Sequence, residues 1–146
     1  MNMLETSEVQ VLDERDIHAI LARNITGRVA FEVDGEIEIL PVSYVFGDDF
    51  IYLRSTGTGR LAATGTAGKK VGFEVDEIQS TNRWRSVVVH GTLLRIDKEG
   101  EQEEWMRAIG KLRRLMPDAL RESDFAGYRN TLFRILVRNA SGRAMG

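Results

Sequence analysis

Residues 27–55, GRVAFEVDGEIEILPVSYVFGDDFIYLRS, change polarity at almost every second position and are broken by two tight-turn signals. Val29, Phe31 and Val33 fall on one face and Arg28, Ala30 and Glu32 on the other, because successive strand side chains point to opposite sides. Asp34-Gly35 is a type I′ hairpin signal. EIEILPVSYVF (36–46) is the partner strand, with Glu36 and Glu38 facing away from Ile37 and Ile39. Pro41 has no N–H to give to a ladder, so this strand lies at an edge or bends there. Gly47-Asp48-Asp49 makes a second turn into FIYLRS. Such short connections exclude a parallel sheet, which needs crossovers of a dozen or more residues, and leave an antiparallel meander.

The remaining elements fit that frame. Residues 13–24, DERDIHAILARN, predict a short helix capped by Asp13 and ended at Asn24, with Ile17, Ile20 and Leu21 on one side. KKVGFEVDEI (69–78) is a fourth strand and WRSVVVHGTLLRID (84–97) a fifth, with Gly91 as a bulge or barrel corner. KEGEQEEWMRAIGKLRRLM (98–116) predicts an amphipathic helix. Trp105, Ile109, Leu112 and Met116 line one side, Met106 lies near them, and Pro117 stops the helix. Residues 118–128 are irregular or a short helix. TLFRILVRNASGR (131–143) is the sixth strand, with Phe133, Ile135 and Val137 on the inward face and Leu132, Arg134, Leu136 and Arg138 on the other. Six strands and two substantial helices, with no repeat or linker, predict a single domain over 1–146, an antiparallel barrel with packed helices.

Bulk properties exclude several classes of function. The net charge of −2 lacks the basic surplus that a nucleic-acid backbone demands. There are no cysteines, so neither disulfides nor thiol chemistry are available. No apolar run approaches the roughly 18–20 residues of a membrane helix, and MNMLETSEVQ has no signal-peptide pattern, so a cytoplasmic location is expected. His18 and His90 are isolated from other ligand types, so no metal site is expected. No acid–base pair or nucleophile stands out. Glu36 and Glu38 read as a solvated strand face, Asp76 and Glu77 as a strand end.

One loop carries chemistry. FIYLRSTGTGRLAAT (50–64) is a strand running into glycines, hydroxyls and two arginines. Gly57, Gly59 and Ala62 match G-x-G-x-x-A, with Glu74 and Asp76 downstream. A dinucleotide fold is nonetheless excluded, because its parallel sheet is incompatible with the meander, and RLAATGTAG is too short and glycine-rich for a crossover helix. A P-loop is excluded because Gly68-Lys69 is followed by Lys70. A single phosphate fits better: turn N–H groups, the hydroxyls of Ser55, Thr56 and Thr58, and the guanidinium forks of Arg54 and Arg60 would surround it. The competing reading is a solvated loop with two surface arginines.

The order of these motifs resembles the pyridoxamine 5′-phosphate oxidase-like, FMN-binding split-barrel family. The nearest resemblance is to its small nitroimidazole-resistance-like and actinobacterial flavin or deazaflavin reductase-like members. The opening helix with GRVAF, the LPVSYVFGDDFIYLRSTGTGR block, KKVGFEVDEI, RWRSVVVHGTLLRI and the closing SGR carry it. The resemblance implies a mainly β, six-stranded antiparallel split β-barrel holding FMN. It implies that Arg54, Ser55, Thr56, Gly59 and Arg60 meet the phosphate and that the backbone of Pro41, Val42, Ser43 and Tyr44 runs along the isoalloxazine edge. Trp84 and Ser86 would approach the flavin from their own strand. The chain lacks the C-terminal Trp…Arg segment of the oxidase proper, so pyridoxine phosphate oxidation is not implied.

The activity so implied is hydride transfer to a small organic substrate, with no catalytic residue beyond those that hold the flavin. The resemblance also implies a homodimer sharing its flavin sites, with Arg134 and Arg138 as candidate contributors from the neighbouring chain. Two alternatives stay open. One is a diffusible deazaflavin in place of FMN, its anionic tail drawn to Arg28, Lys69, Lys70 and Arg83. The other is a non-catalytic flavin- or haem-binding protein.

Overall fold

Two pairs of left-handed residues set the course of the sheet. A computed structural model describes residues 8–63 and 68–146, so the chain's opening residues and part of the RLAATGTAG segment lie outside the described residues. Asp34 and Gly35 have φ of 50° and 82°, the type I′ geometry whose twist suits a hairpin. They join β2 (Thr26–Val33) to β3 (Glu36–Ser43). Asp48 and Asp49, at 55° and 64°, do the same for β4 (Val45–Gly47) and β5 (Phe50–Ser55).

The single strand expected over 36–46 divides at Tyr44. Its N–H donates to the Ile25 carbonyl at 3.0 Å. Its ring is buried edge-on to Phe73 at 5.0 Å, and its hydroxyl donates to the Leu21 carbonyl at 2.7 Å. Burying this side chain swings the chain out of register with β2 and into register with β5. The short β1 (Gln10–Val11) adds to the far edge of β8 (Thr131–Met145). With β6 (Lys69–Ser80) and β7 (Arg83–Arg95) the sheet has eight strands rather than six.

The pairing is antiparallel throughout, in the order β3-β2-β6-β7-β8-β5-β4. β3 and β4 end this path without pairing to each other, so the barrel is split between them, and Pro41 sits on an edge strand as expected. The bulge expected at Gly91 lies across from it: His90 pairs with Asn139 and Gly91 with Val137, so the extra residue is Arg138 of β8, while Gly91 itself stays paired with Val71.

The inward residues of the strands fill the barrel with Val29, Phe31, Leu53, Phe73, Val75, Val89, Phe133 and Ile135. Helix α1 (Glu14–Arg23) closes one end with Ile17, Ile20 and Leu21. Asp13 Oδ1 caps it by accepting the Asp16 N–H at 2.9 Å. Helix α2 (Gln102–Leu115) begins later than the sequence pattern indicates, because 97–101 forms a turn closed by Glu101 N–H to Asp97 carbonyl. It lays Ala108, Ile109 and Leu112 over Tyr52, Ile96 and Leu132 on the outside of β5 and β8. Met106, expected near the buried face, is exposed. β8 is thus apolar on both faces at its start: Phe133 and Ile135 enter the barrel while Leu132 enters the α2 cluster.

The junction of α1 and β6 is clamped by charge. Arg23 Nη2 and Nε reach Glu77 at 2.6 and 2.8 Å, and Asn24 Nδ2 donates to the same carboxylate at 2.7 Å. These donors, Arg23 first, hold the Glu77 carboxyl down at about 2, from an ordinary 4.5. A depressed acid contributes stability above its unfolded value and loses it as pH falls through the folded value. The thermal midpoint should therefore be flat above about pH 5 and fall between 4.5 and about 2. Glu77→Gln should lower the neutral-pH midpoint and flatten that acid slope, read by calorimetry across the window. An unchanged slope would show that the clamp does not set acid stability.

Candidate functional site

The loop after β5 is built around a missing side chain. Gly59 N–H closes the turn on the Thr56 carbonyl at 3.5 Å, and the chain enters a 3₁₀ turn, Arg60–Ala63, anchored by buried Leu61. A Cβ on Gly59 would lie 2.8 Å from Thr56 Oγ1 and 3.5 Å from Ser55 Oγ. The space in front of those two hydroxyls therefore exists because residue 59 has no side chain. Arg60, more than half exposed, stands beside it and pairs with Glu38.

Arg54 is engaged elsewhere. Its side chain is 6% exposed and meets Asp124, 4% exposed, with Nη1 to Oδ2 at 2.6 Å. Asp124 also accepts the Leu120 N–H at 2.7 Å and the Ala126 N–H at 3.0 Å. Leu120, at φ 56°, is held in a left-handed conformation by that bond. Arg54 first, then these N–H groups, keep the Asp124 carboxyl well below the usual carboxylate range. Arg54, read from the sequence as a phosphate ligand, thus holds residues 118–126 against the base of the loop with its guanidinium.

The other expected contacts are divided between the β3 edge, the core and the outer face of β7. Pro41 and Ser43 are exposed along the edge of β3, Val42 packs inward, and Tyr44 is buried with its N–H already given to the Ile25 carbonyl. Trp84 and Ser86 lie on β7 opposite Ile78 and Asp76. Ser55 pairs with Thr131 and Ser86 with Arg143, at opposite ends of β8. One chain therefore presents two groups, the 54–60 loop and the 41–44/84–86 face, not a single cleft. β3 connects them, since Glu38 near its start touches Arg60 and Ser43 ends it.

That outer face is unusually apolar. Ile37 and Ile39 are 76% and 62% exposed and Ile78 is 68% exposed. The inward side of β3 is instead Glu38, Leu40 and Val42. The solvated acidic face expected for this strand is thus reversed at Glu38, because β3 curls inward toward Arg60. Two open depressions run across the face. One of about 350 Å³ lies between Ile78, Trp84 and Ser86, and one of about 230 Å³ between Ala30, Ile39 and Val88. Arg28 stands between them, bonded to Glu74 at 2.6 Å and within 3.4 Å of Asp76. Partial burial, then the neighbouring Asp76, push the Glu74 carboxyl up. Arg28, half exposed, is thus paired within the chain, as Arg60 is.

Sequence reasoning missed Asp124, Glu38 and Thr131, the partners of Arg54, Arg60 and Ser55. Asp124 lies in the irregular 118–128 segment, where no period points to a partner. Glu38 was visible as a polar residue in a strand, but its mate is 22 residues away.

The sequence matches the family described as Pyridoxamine 5'-phosphate oxidase over residues 13–144. Among solved structures, a FAD-binding protein from Mesorhizobium loti superposes with a TM-score of 0.71 at 25% identity, over 94% of this chain and 99% of that one. The FAD binding protein from Mycobacterium smegmatis gives 0.66 at 20%, over 94% and 100%. A FAD and haem binding protein from the same organism gives 0.63 at 18%, over 94% and 73%. No curated protein matches.

Proposed function

The chain belongs to the pyridoxamine 5'-phosphate oxidase family, and from that membership we propose that it is a flavin-dependent oxidoreductase acting on a small organic substrate. The observation that carries the proposal is the Gly59 cradle, where two hydroxyls face a space that a single Cβ would fill. Ser55, Thr56 and the turn N–H groups would hold the flavin's phosphate, with Arg60 as the accessible cation. The bound flavin would supply the hydride chemistry. The residues of this chain would bind and orient it: Pro41–Tyr44 along one edge, Trp84 and Ser86 on the other strand. No side-chain acid, base or nucleophile is assigned to the reaction. FMN follows from the family resemblance, and the FAD-binding relative from M. loti supports a flavin more generally.

The two groups of residues lie at opposite ends of β8, and the apolar outer face leaves Ile37, Ile39 and Ile78 in water. A homodimer through that face would cover those side chains and bring the loop of one copy toward the sheet of the other. Among the described residues no helix is long and apolar enough to cross a membrane. A cytoplasmic location remains the proposal.

The test is flavin retention. Protein mixed with FMN or FAD and desalted should keep a flavin absorbance spectrum. Gly59→Ala should weaken binding by about tenfold or more, because the new methyl displaces the anion from both hydroxyls, while the thermal midpoint stays near the parent's. Equal retention by Gly59→Ala would remove the loop from the site. Failure of the parent to hold any flavin would sink the proposal, and titration with deazaflavin would follow.

A further inference from the structure

Phe125 is 97% exposed, in a chain whose Phe31, Phe73 and Phe133 are buried. The turn that carries it is fixed from beneath. Ala119 is buried in the α2 cluster. Asp124 is clamped by buried Arg54 and accepts the Leu120 and Ala126 N–H groups. Successive turns close Arg121 N–H on the Asp118 carbonyl, Asp124 on Arg121, Gly127 on Asp124 and Arg129 on Ala126. The ring is therefore held out in water from an ordered backbone. Tyr128, 63% exposed, follows in the same run.

The same segment gathers arginines. Arg113, near the end of α2, donates its Nε to the Ala119 carbonyl at 2.9 Å, and Arg121 Nε donates to the Pro117 carbonyl at 3.1 Å. The Arg129 guanidinium lies 5.7 Å from the Tyr128 ring, and Arg114 is exposed beside Arg113. Carbonyls and a ring hold such groups in place without cancelling their charge. Among the described residues none of the four is in an ion pair. Asp118 and Glu122 oppose them, while Asp124 is matched by Arg54. Four arginines over two carboxylates leave this surface positive on a chain whose net charge is −2.

A ring so exposed has no wall beside it, so whatever covers it must supply the apolar surroundings. A lipid interface does this without a matching groove. Aromatic rings settle at the headgroup level, and arginine stems lie along them while the guanidinium groups meet anionic headgroups. We propose that the 113–129 segment docks on an anionic membrane surface, with Phe125 and Tyr128 entering the headgroup region and Arg113, Arg114, Arg121 and Arg129 facing the lipid anions. This is independent of the flavin reading, because it uses no residue assigned to the flavin.

Co-sedimentation of the full chain with vesicles tests it. Phosphatidylcholine vesicles containing phosphatidylserine should bind the parent about tenfold or more tighter than phosphatidylcholine alone, and raised salt should remove the difference. Phe125→Ala should weaken binding to the mixed vesicles by about fivefold or more, and the double variant Arg121→Gln, Arg129→Gln should weaken it similarly. Glu122→Gln, which removes an opposing charge, should tighten it. Phe125→Trp should bind, with its added indole emission shifted to the blue as the ring leaves water. These side chains are exposed, so each variant's thermal midpoint should match the parent's. A parent that sediments with neither vesicle would overturn the proposal. So would binding that Phe125→Ala leaves unchanged. Failure on vesicles with Phe125-dependent self-association, or with Phe125-dependent binding of polyglutamate, would assign the surface to a second copy or to an acidic protein and would equally overturn it.

Discussion

Arg54→Ala should lower the thermal midpoint by roughly 10 °C or more and loosen residues 118–126. The substitution leaves Asp124 buried without its cation, and an uncompensated buried carboxylate is among the costliest local defects. Surface pairs such as Arg107–Glu104 should be worth far less, since half-exposed partners are screened by water. Asp124→Asn should show a related loss, because the amide cannot accept the Arg54 fork as a charged partner. The double variant Arg54→Met, Asp124→Asn removes both charges while the amide oxygen still accepts a turn N–H, and should recover part of the stability. Flavin retention by that double variant separates two roles. If it binds flavin as the parent does, Arg54 acts only by holding the turn. If it is stable yet fails to bind, the guanidinium also reaches the phosphate. An Arg54→Ala midpoint within about 2 °C of the parent's would show that the buried pair does not anchor the turn.

Gly91→Val should destabilise the chain by about 3 kcal/mol. A Cβ at residue 91 would sit 2.5 Å from the Leu136 carbonyl oxygen and 2.7 Å from Ile135 Cγ2. Neither neighbour can retreat, because one is backbone and the other is packed in the barrel. The bulge also sets the register by which β7 follows β8, so a distortion there displaces the paired residues on either side. Gly72→Ala is the matched control: its new Cβ would meet nothing nearer than Ala30 Cβ at 3.8 Å, and should change stability by less than about 0.5 kcal/mol. Denaturant midpoints for the two variants give the comparison directly. Similar losses for both would mean that glycine at 91 is not there for space.

Much of the fold was legible because its signals are local. Asp34-Gly35 and Asp48-Asp49 adopt the left-handed turns that their residue types favour. Asp13 caps the helix whose periodicity follows it. Gly91 interrupts a run of alternating apolar residues where the register shifts. The division at Tyr44 was not legible. A tyrosine in an alternating strand reads as one more strand residue, and only its contacts with Leu21 and Phe73 turn it into a corner. The candidate site was legible as a composition of glycines, hydroxyls and arginines. Which arginine is buried was not: both lie beside the same loop in the sequence, yet Arg54 is buried against Asp124 and Arg60 is exposed and paired with Glu38.

The sequence by itself determined an antiparallel meander, because period-two strands joined by two-residue turns admit no crossover helices. It also determined the ingredients of the proposed cradle, since Gly59 and the hydroxyls of Ser55 and Thr56 are neighbours along the chain. The tertiary structure decided what lies far apart in sequence. It closed Arg54 on Asp124 across 70 residues and turned Ile37 and Ile39 outward. The physical reason is range. Turn, cap and strand preferences act over a few residues, whereas ion-pair partners and the faces left in water are settled only when the whole sheet has curled and α2 has covered one side of it.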